Sequence, residues 1–568
     1  MQIFLSYLGC RLNQAELELW ARQFKLAGHA IVNNADEADL MVLNSCAVTQ
    51  EAVRKSRKNI KQLKRHNPQA RIVVSGCFVS LQDETGNRET AEALAVDLVV
   101  HNADKKALVE QACRLFDCSL SQTSRLPSAS MIPGPQPLGS NPDKEGNLPA
   151  RWIPLKPIDI KPSATAAHPV DSSTSVDESQ PRRVKPRQKP HQNRSRQRAF
   201  IKIQDGCRYR CTYCVVTLAR GDENSRPIGD LVQEVNTLVD EGIKEIVLTG
   251  VHVGGYGSDT GESLASLLRA LLSETDVPRI RFASVEPWDL EDDLLLCLQD
   301  PRVMPHMHLP LQSGSDSVLK RMARRCKTTD FRRLVNDLQT SNHNFNVTTD
   351  IIVGFPGETE SEWQQTLEFV NTITFGHIHV FPFSVRAGTK AARLSGQLTG
   401  DIKKLRVRQL RELALQQRQE FLKRCVGQEI EVLWERFVPL NWQTGKNSFV
   451  SGDKPDGTET AESYVAARVH GLTPNYIKVS ADLTVSTTSK RQVANARDRL
   501  EEDCAEPQAS HWINQITQAK ILQMQPIPGK SENELPDYLL QARVAGHYSA
   551  SEEHQVCSSK PTELPAAT

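Results

Sequence analysis

Cys207, Cys211 and Cys214 stand at the spacing C-x3-C-x2-C, directly after the apolar run FIKI at 200–203. A loop of this pitch can wrap three thiolates around one face of a cubane iron–sulfur cluster, which ordinarily takes four thiolates. Three ligands leave one iron open, and an open iron can bind a small molecule. A structural zinc knuckle would show paired C-x2-C units with a fourth Cys or His close by, and none follows here. A second triad is dispersed: Cys10, Cys46 and Cys77 are separated by 36 and 31 residues. Free cysteine is often just a small buried hydrophobe. Each of these three, however, closes a strand-like run.

The elements that must position the cysteines are legible around them. Residues 2–8, 38–43 and 71–74 read as strands, with helical periodicity over 13–27 and a basic helix over 51–66. This βαβαβ order argues for a small parallel sheet, whose strands carry their carboxyl ends on one edge. Open α/β sheets bind ligands at that edge, so Cys10, Cys46 and Cys77 can converge there as a second three-thiolate site. Residues 199–425 alternate again, with strands at 200–203, 245–248, 279–284, 306–309, 349–353 and 377–381 and helices such as 228–241 and 360–372. Six βα units make a partial (β/α)6 barrel with its chemistry at the carboxyl ends of the strands, where the 207–214 loop lies. Short strands at 429–435, 464–469 and 476–479 suggest a small β-barrel of OB-like size over 426–483.

The fold class is therefore α/β: a small N-terminal parallel sheet domain (1–118), a partial barrel (199–425) and a C-terminal small β-barrel (426–483). Between the first two, 119–198 holds 13 of the 31 Pro and 12 Ser, the composition of a disordered linker with a basic end. Residues 484–568 read as a polar, irregular tail with one short helix near 514–524.

At 568 residues the chain is too long for one core. Its net charge of +1 conceals local stripes: eight Lys or Arg and no acid over 53–71, eight more and no acid over 181–198, and seven against the single Asp330 over 320–333. Basic stripes on a balanced protein suggest a polyanionic partner. Thirteen cysteines without a secretory segment belong in a reducing cytoplasm as metal ligands or inert core. The isolated ones, Cys297, Cys326, Cys425, Cys504 and Cys557, read as structural or incidental, as do Cys113 and Cys118 near a domain end. No apolar run reaches the roughly 18 residues that span a membrane.

Smaller motifs sit at strand ends. Thr249-Gly250 follows the second barrel strand and Gly354 opens a turn after the fifth. Gly254, Gly255 and Gly257 read as a flexible turn, since no Lys-Ser/Thr follows. His306 with His308, and His377 with His379, alternate along strands, so each pair shares a face; with no third ligand nearby in sequence, packing is expected.

Taken together, LGCRLN at 8–13, NSCAVT at 44–49, SGC at 75–77, the cysteine loop, HLPLQSGS at 308–315 and DIIVGFPGET at 350–359 resemble the radical S-adenosylmethionine (SAM) methylthiotransferases. The resemblance covers 1–118 and 199–483. GVHV at 250–253, SVEP at 284–287 and GLTPNY at 471–476 are most similar to the tRNA enzymes of the MtaB type. The resemblance implies two [4Fe-4S] clusters and SAM. Cys207, Cys211 and Cys214 would hold the cluster that binds and cleaves SAM; Cys10, Cys46 and Cys77 would hold an auxiliary cluster carrying sulfur. Tyr213, Gly250 and Gly354 would contact SAM, and the C-terminal barrel would be an RNA-binding TRAM module. No side chain would be the catalyst, because the radical arises at the cluster-bound SAM; this fits the lack of a Ser-His or paired-carboxylate constellation. The implied activity is methylthiolation of C2 of threonylcarbamoyladenosine at tRNA position 37, gripped through the anticodon stem-loop, with an electron donor such as flavodoxin or ferredoxin. The MiaB-type reaction on isopentenyladenosine and the RimO-type reaction on a ribosomal-protein aspartate are the alternatives, with an RNA-binding protein carrying structural clusters as a reading of another class.

Overall fold

The computed structural model describes residues 1–81, 88–116, 197–439, 462–487, 514–527 and 537–544. The first unit is a five-stranded parallel sheet. Its strands are β1 (Gln2–Tyr7), β2 (Ala30–Val32), β3 (Leu40–Ser45), β4 (Arg71–Gly76) and β5 (Leu98–Val100), in the order β2-β1-β3-β4-β5. Helix α1 (Arg11–Leu26) buries Leu17, Trp20 and Phe24 against the sheet. Helix α2 (Gln50–His66) starts where the Thr49 side chain accepts from Ala52 N. It buries Ile60 and Leu63 and turns its Lys and Arg outward. Short helices α3 (Cys77–Ser80), α4 (Ala91–Leu94) and α5 (Leu108–Arg114) finish the unit. Strands β2 and β5 were not legible beforehand: three-residue strands are too short to show a period. The strand order reverses between β1 and β3, and a crevice opens at such a switch point beyond the strand ends. Cys10 and Cys46 flank it.

The second unit opens with β6 (Arg198–Lys202) and an antiparallel pair, β7 (Gln204–Asp205) and β8 (Asn224–Ser225). Strands β9 (Glu245–Thr249), β10 (Arg279–Phe282), β11 (His306–His308), β12 (Asn346–Val353) and β13 (His377–Pro382) follow. They form two parallel sheets, β10-β9-β6 and β11-β12-β13. Parallel bridges at Ile280–Val303 and Ser284–His308 join them edge to edge, giving the six expected strands in the expected order. Helices α6 (Val216–Arg220), α7 (Ile228–Asp240), α8 (Leu264–Glu274), α9 (Asp292–Cys297), α10 (Asp316–Arg321), α11 (Thr328–Ser341) and α12 (Glu360–Asn371) intervene. Capping boxes at Ser263/Ser266 and Thr359/Glu362 start α8 and α12. Helix α13 (Gly400–Cys425) packs on β13 and leads out of the unit.

The third unit is a closed five-stranded barrel: β14 (Glu429–Pro439), β15 (Glu462–Leu472), β16 (Lys478–Thr487), β17 (Ile516–Ile527) and β18 (Asp537–Val544), in the order β14-β15-β16-β18-β17. Two expectations are corrected here. Residues 514–524 are not helical: β17 pairs antiparallel with β14 and β18, burying Ala519 and Ile521. The barrel also does not end at 483, because β17 and β18 come from the expected polar tail. Apolar residues at 516, 519 and 521 are compatible with a helix by spacing alone; pairing with β14 decides the matter. Of the expected linker 119–198, all but Gln197 and Arg198 lie outside the described residues. Cys118, Cys504 and Cys557 lie outside them too. Among the described residues, no helix is long and apolar enough to cross a membrane.

The third unit docks on the amino-terminal ends of the central strands through its β15–β16 turn. Arg281 is bound to Glu245 (2.9 Å) and donates to Pro474 O (2.9 Å), and Asn346 Nδ2 donates to Asn475 O at 2.7 Å. Tyr476, at φ +64°, stacks on the buried His306 with ring centroids 4.7 Å apart.

Candidate functional site

The two cysteine triads are each brought together by loops at strand ends. In the first, Cys10 caps α1, Cys46 follows β3 and Cys77 opens α3. Gly9 lies at φ +94°, and a Cβ there would sit 2.6 Å from Cys46 Sγ; only glycine lets the Cys10 and Cys46 loops approach this closely. The Asn13 amide ties the two loops, donating to Leu8 O (2.7 Å) and Ser45 O (3.0 Å). Burial pushes the Cys46 thiol up to about 12, and the neighbouring Cys10 and Cys77 add to the shift.

In the second triad, Gly206 at φ +73° leaves no room for a Cβ against Asp222 O. Cys207 N is tied to Gly221 O (3.1 Å) and Cys214 N to Cys211 O (3.1 Å). Burial pushes Cys207 up to about 12, with Cys214 and Cys211 contributing, and Cys214 to about 11, with Cys211 contributing. Tyr213 packs beside Phe355 and Phe383. Next to the loop, His252 is held between Glu223 (2.5 Å) and Asp289 (2.6 Å), and Tyr209 meets its ring edge-on. Gln204 Oε1 accepts from the backbone N–H of Val251 and His252 and lies against Gly250, fixing the turn after β9. Gly354 N is bound to Glu358 at 2.8 Å. The 254–257 turn is tightly packed rather than loose: a Cβ on Gly254 would meet Asp289, and one on Gly255 would meet His252.

Arg220 joins the two triads. It ends α6, just past the second loop, and its fully buried guanidinium reaches into the first unit. It binds Glu16 (2.9 Å), Asp205 (2.9 Å) and Asn13 Oδ1 (2.8 Å), and its Nε lies 3.4 Å from Cys77 Sγ. Lys105 and Lys202 complete the network on Glu16 at 2.5 and 3.0 Å. Burial alone would raise the Glu16 carboxyl, but Arg220, Lys105 and Lys202 together hold it well below the usual range. Nothing in the sequence marked Arg220 or Glu16.

A cavity of about 1070 Å³ runs along the interior of the curved sheet. Cys10, Gly250 and Ser284 line it, together with Tyr476 and Lys478 of the third unit. Of the six triad cysteines, Cys10 is the one on its wall. His306 packs as expected. His308 and His379 do more than pack: with Asp350 they meet on the wall, each with one ligand atom within 4.8 Å of the others. Strand register produces this, pairing His308 with Thr348 and Asp350 with His379 across β11, β12 and β13. Alternation within one strand could not reveal it; the order β11-β12-β13 was needed. The basic stripes also divide. Lys55 and Lys58 of α2 are exposed and line the cavity mouth. In 320–333, by contrast, Arg321 is bound to Glu362 and Arg324 to Glu286. Cys113, Cys326 and Cys425 are buried in their cores, and Cys297 packs against the central core.

Residues 2–100 match the uncharacterized protein family UPF0004, and residues 201–370 match the radical SAM superfamily. The threonylcarbamoyladenosine tRNA methylthiotransferase MtaB of Thermotoga maritima is 33% identical over 470 residues, covering 82% of this chain and 94% of that protein. Its namesake from Bacillus subtilis is 33% identical over 431 residues (75% and 83%). A tRNA-2-methylthio-N(6)-dimethylallyladenosine synthase from Methylacidiphilum infernorum is 31% identical over 444 residues (76% and 84%). Among solved structures, the radical S-adenosylmethionine methyltransferase TsrM of Kitasatospora setae is similar at a TM-score of 0.45 and 14% identity, covering 69% and 74%. An iron–sulfur cluster and SAM come with the radical SAM domain. The order of domains, the two converged triads and relatives matched over most of both lengths agree: the chain belongs to the radical SAM methylthiotransferases, close to the MtaB type.

Proposed function

We propose that this enzyme adds a methylthio group to C2 of N6-threonylcarbamoyladenosine at position 37 of tRNA. The observation that carries the reading is the pair of cysteine triads, with Arg220 just past the second loop donating to Cys77 of the first, and a cavity that Cys10 helps to line and that is large enough for a splayed-out base. The relatives' names support the substrate. Each triad offers three soft thiols, a donor set suited to a cubane with one open iron; Glu223 and His252, which lie beside Cys207, are bound to each other. On this reading Cys207, Cys211 and Cys214 hold the SAM-binding cluster, and Cys10, Cys46 and Cys77 hold the auxiliary one. When bound, the clusters and SAM supply one-electron hydrogen abstraction and a methylated sulfur. Tyr213, Gly250 and Gly354 shape the SAM site: Gly250, held against Gln204, presents backbone, and Gly354 keeps its turn open at φ +74°. Burial would lower the His252 imidazole, but Asp289 and Glu223 outweigh it and raise it, and its fixed ring supports Tyr209 inside the loop. Lys55, Lys58 and the C-terminal barrel grip the anticodon stem through its phosphates. An electron donor of the flavodoxin or ferredoxin kind serves the first cluster. Residues 1–118, 199–425 and the barrel from 426 act as the three working domains.

The test is nucleoside mass spectrometry of tRNA treated with anaerobically reconstituted enzyme. Methylthio product on threonylcarbamoyladenosine is expected. Cys207→Ala should end both SAM cleavage and product, whereas Cys46→Ala should end product and keep SAM cleavage. Product on the dimethylallyl substrate alone would move the assignment within the family, and a modified ribosomal protein would remove it from tRNA.

A further inference from the structure

The His308–Asp350–His379 cluster lies on the cavity wall. His308 is fixed: Nδ1 lies 2.9 Å from Thr348 Oγ1, and Nε2 lies 3.2 Å from Asp350 Oδ1. Its side chain and that of Asp350 are 13% and 26% exposed, so they face the cavity without being sealed from it. His379 is different. Its ring stands 5.6 Å from His308 and 4.4 Å from His377, and neither of its nitrogens has a hydrogen-bond partner among the described residues. Burial holds it below the ordinary histidine value, so at neutral pH it is uncharged, with one nitrogen to donate and one to accept. Lys478 and Arg418 line the same cavity and add positive charge to it, and Arg418 acts on His379.

We propose that His308, Asp350 and His379 form the subsite that takes the substituent on N6 of the target adenine, and that they select a polar substituent over a hydrocarbon one. This rests on the function proposed above. A threonylcarbamoyl group presents urea N–H groups, a carbonyl, a hydroxyl and a carboxylate. Asp350 accepts from N–H or O–H, His379 donates to or accepts from the carbonyl and hydroxyl, and Lys478 faces the carboxylate. A dimethylallyl group offers none of these partners. Placed here, it would cut His379 and Asp350 off from water without replacing the lost hydrogen bonds, and unpaired polar groups of this kind are what give strong discrimination.

The experiment compares wild type, His379→Phe and His379→Gln, full length and reconstituted, on tRNA bearing N6-threonylcarbamoyladenosine and on tRNA bearing N6-dimethylallyladenosine. For His379→Phe, kcat/KM on the first tRNA should fall roughly 10- to 100-fold, with no fall on the second. His379→Gln should recover part of the loss. Iron content and SAM cleavage should be unchanged in both variants, which separates this outcome from misfolding. An equal loss on both tRNAs, or no loss on either, overturns the subsite while leaving the proposed function standing on the wild-type product. One equivalent of zinc in wild type that disappears in His379→Phe would assign the cluster to a metal and also overturn it.

Discussion

The Nε of Arg220 lies 3.4 Å from the sulfur of Cys77, although the two residues belong to different domains and are 143 positions apart. A residue six positions past the last cysteine of one triad thus donates to a cysteine of the other.

This contact sets a redox expectation. Hydrogen bonds to cluster sulfurs are among the levers that set a cluster's reduction potential. Arg220→Gln should lower the midpoint potential of the auxiliary cluster and leave the SAM-binding cluster unshifted, as followed by anaerobic redox titration with EPR. Because Glu16 and Asp205 lose a buried partner, stability should also fall by about 3–5 kcal/mol. An unshifted auxiliary potential in folded, iron-replete protein would count against an electrostatic role.

Gly9→Ala should empty one site selectively. The added Cβ would lie 2.6 Å from Cys46 Sγ at a backbone φ of +94°. Iron should fall from about eight to about four per chain while SAM cleavage persists. Gly28, at φ +82° with open space around its Cβ position, is the control. Gly28→Ala pays only the conformational cost, about 1 kcal/mol, and should keep full iron.

Glu245 gives the interface between the second and third units a pH dependence. Burial would raise its carboxyl, but Arg281, with Arg198 and Arg279, outweighs burial and lowers it. A folded-state value below the unfolded one contributes stability that is present above the unfolded value and lost as pH falls through the folded one. Glu245→Gln should therefore reduce stability by about 3–5 kcal/mol at pH 7, because it leaves Arg281 buried without a counter-charge. The gap in Tm between variant and wild type should narrow as pH falls below the ordinary glutamate value of about 4.3, where the unfolded chain takes up a proton that folded Glu245 still resists. A gap constant from pH 7 to pH 3.5 would rule this out.

Lys55 and Lys58 are exposed at the cavity mouth. If each neutralises one tRNA phosphate, the double Ala variant should reduce the slope of log K against log salt by about 1.4–1.8. Fluorescence anisotropy with labelled tRNA over a salt series measures it; an unchanged slope would place the RNA elsewhere.

Much of this site was readable in one dimension. The cysteine loop is local, and the dispersed triad could be found because a parallel sheet gathers strand ends on one edge. What could not be read depended on which strands become neighbours. His308, Asp350 and His379 lie on three strands whose adjacency and register bring them together. Arg220 is a lone arginine in a five-residue helix until Glu16 and Cys77 arrive from another domain. Strand β17 misled because its apolar spacing suits a helix as well, and only its pairing partners β14 and β18 distinguish the two.

Tyr476 has one more consequence. Stacked on His306 beneath the curved sheet, with Arg281 over its ring at 4.8 Å, it is a stopper in the drain of the reaction chamber, supplied by the module that follows α13. A chain cut after Cys425 would keep all six triad cysteines yet have a hole in its floor. Bulk water would then enter from below, and SAM should be consumed without product even when the truncated enzyme is saturated with tRNA. The C-terminal barrel is therefore a wall of the chamber.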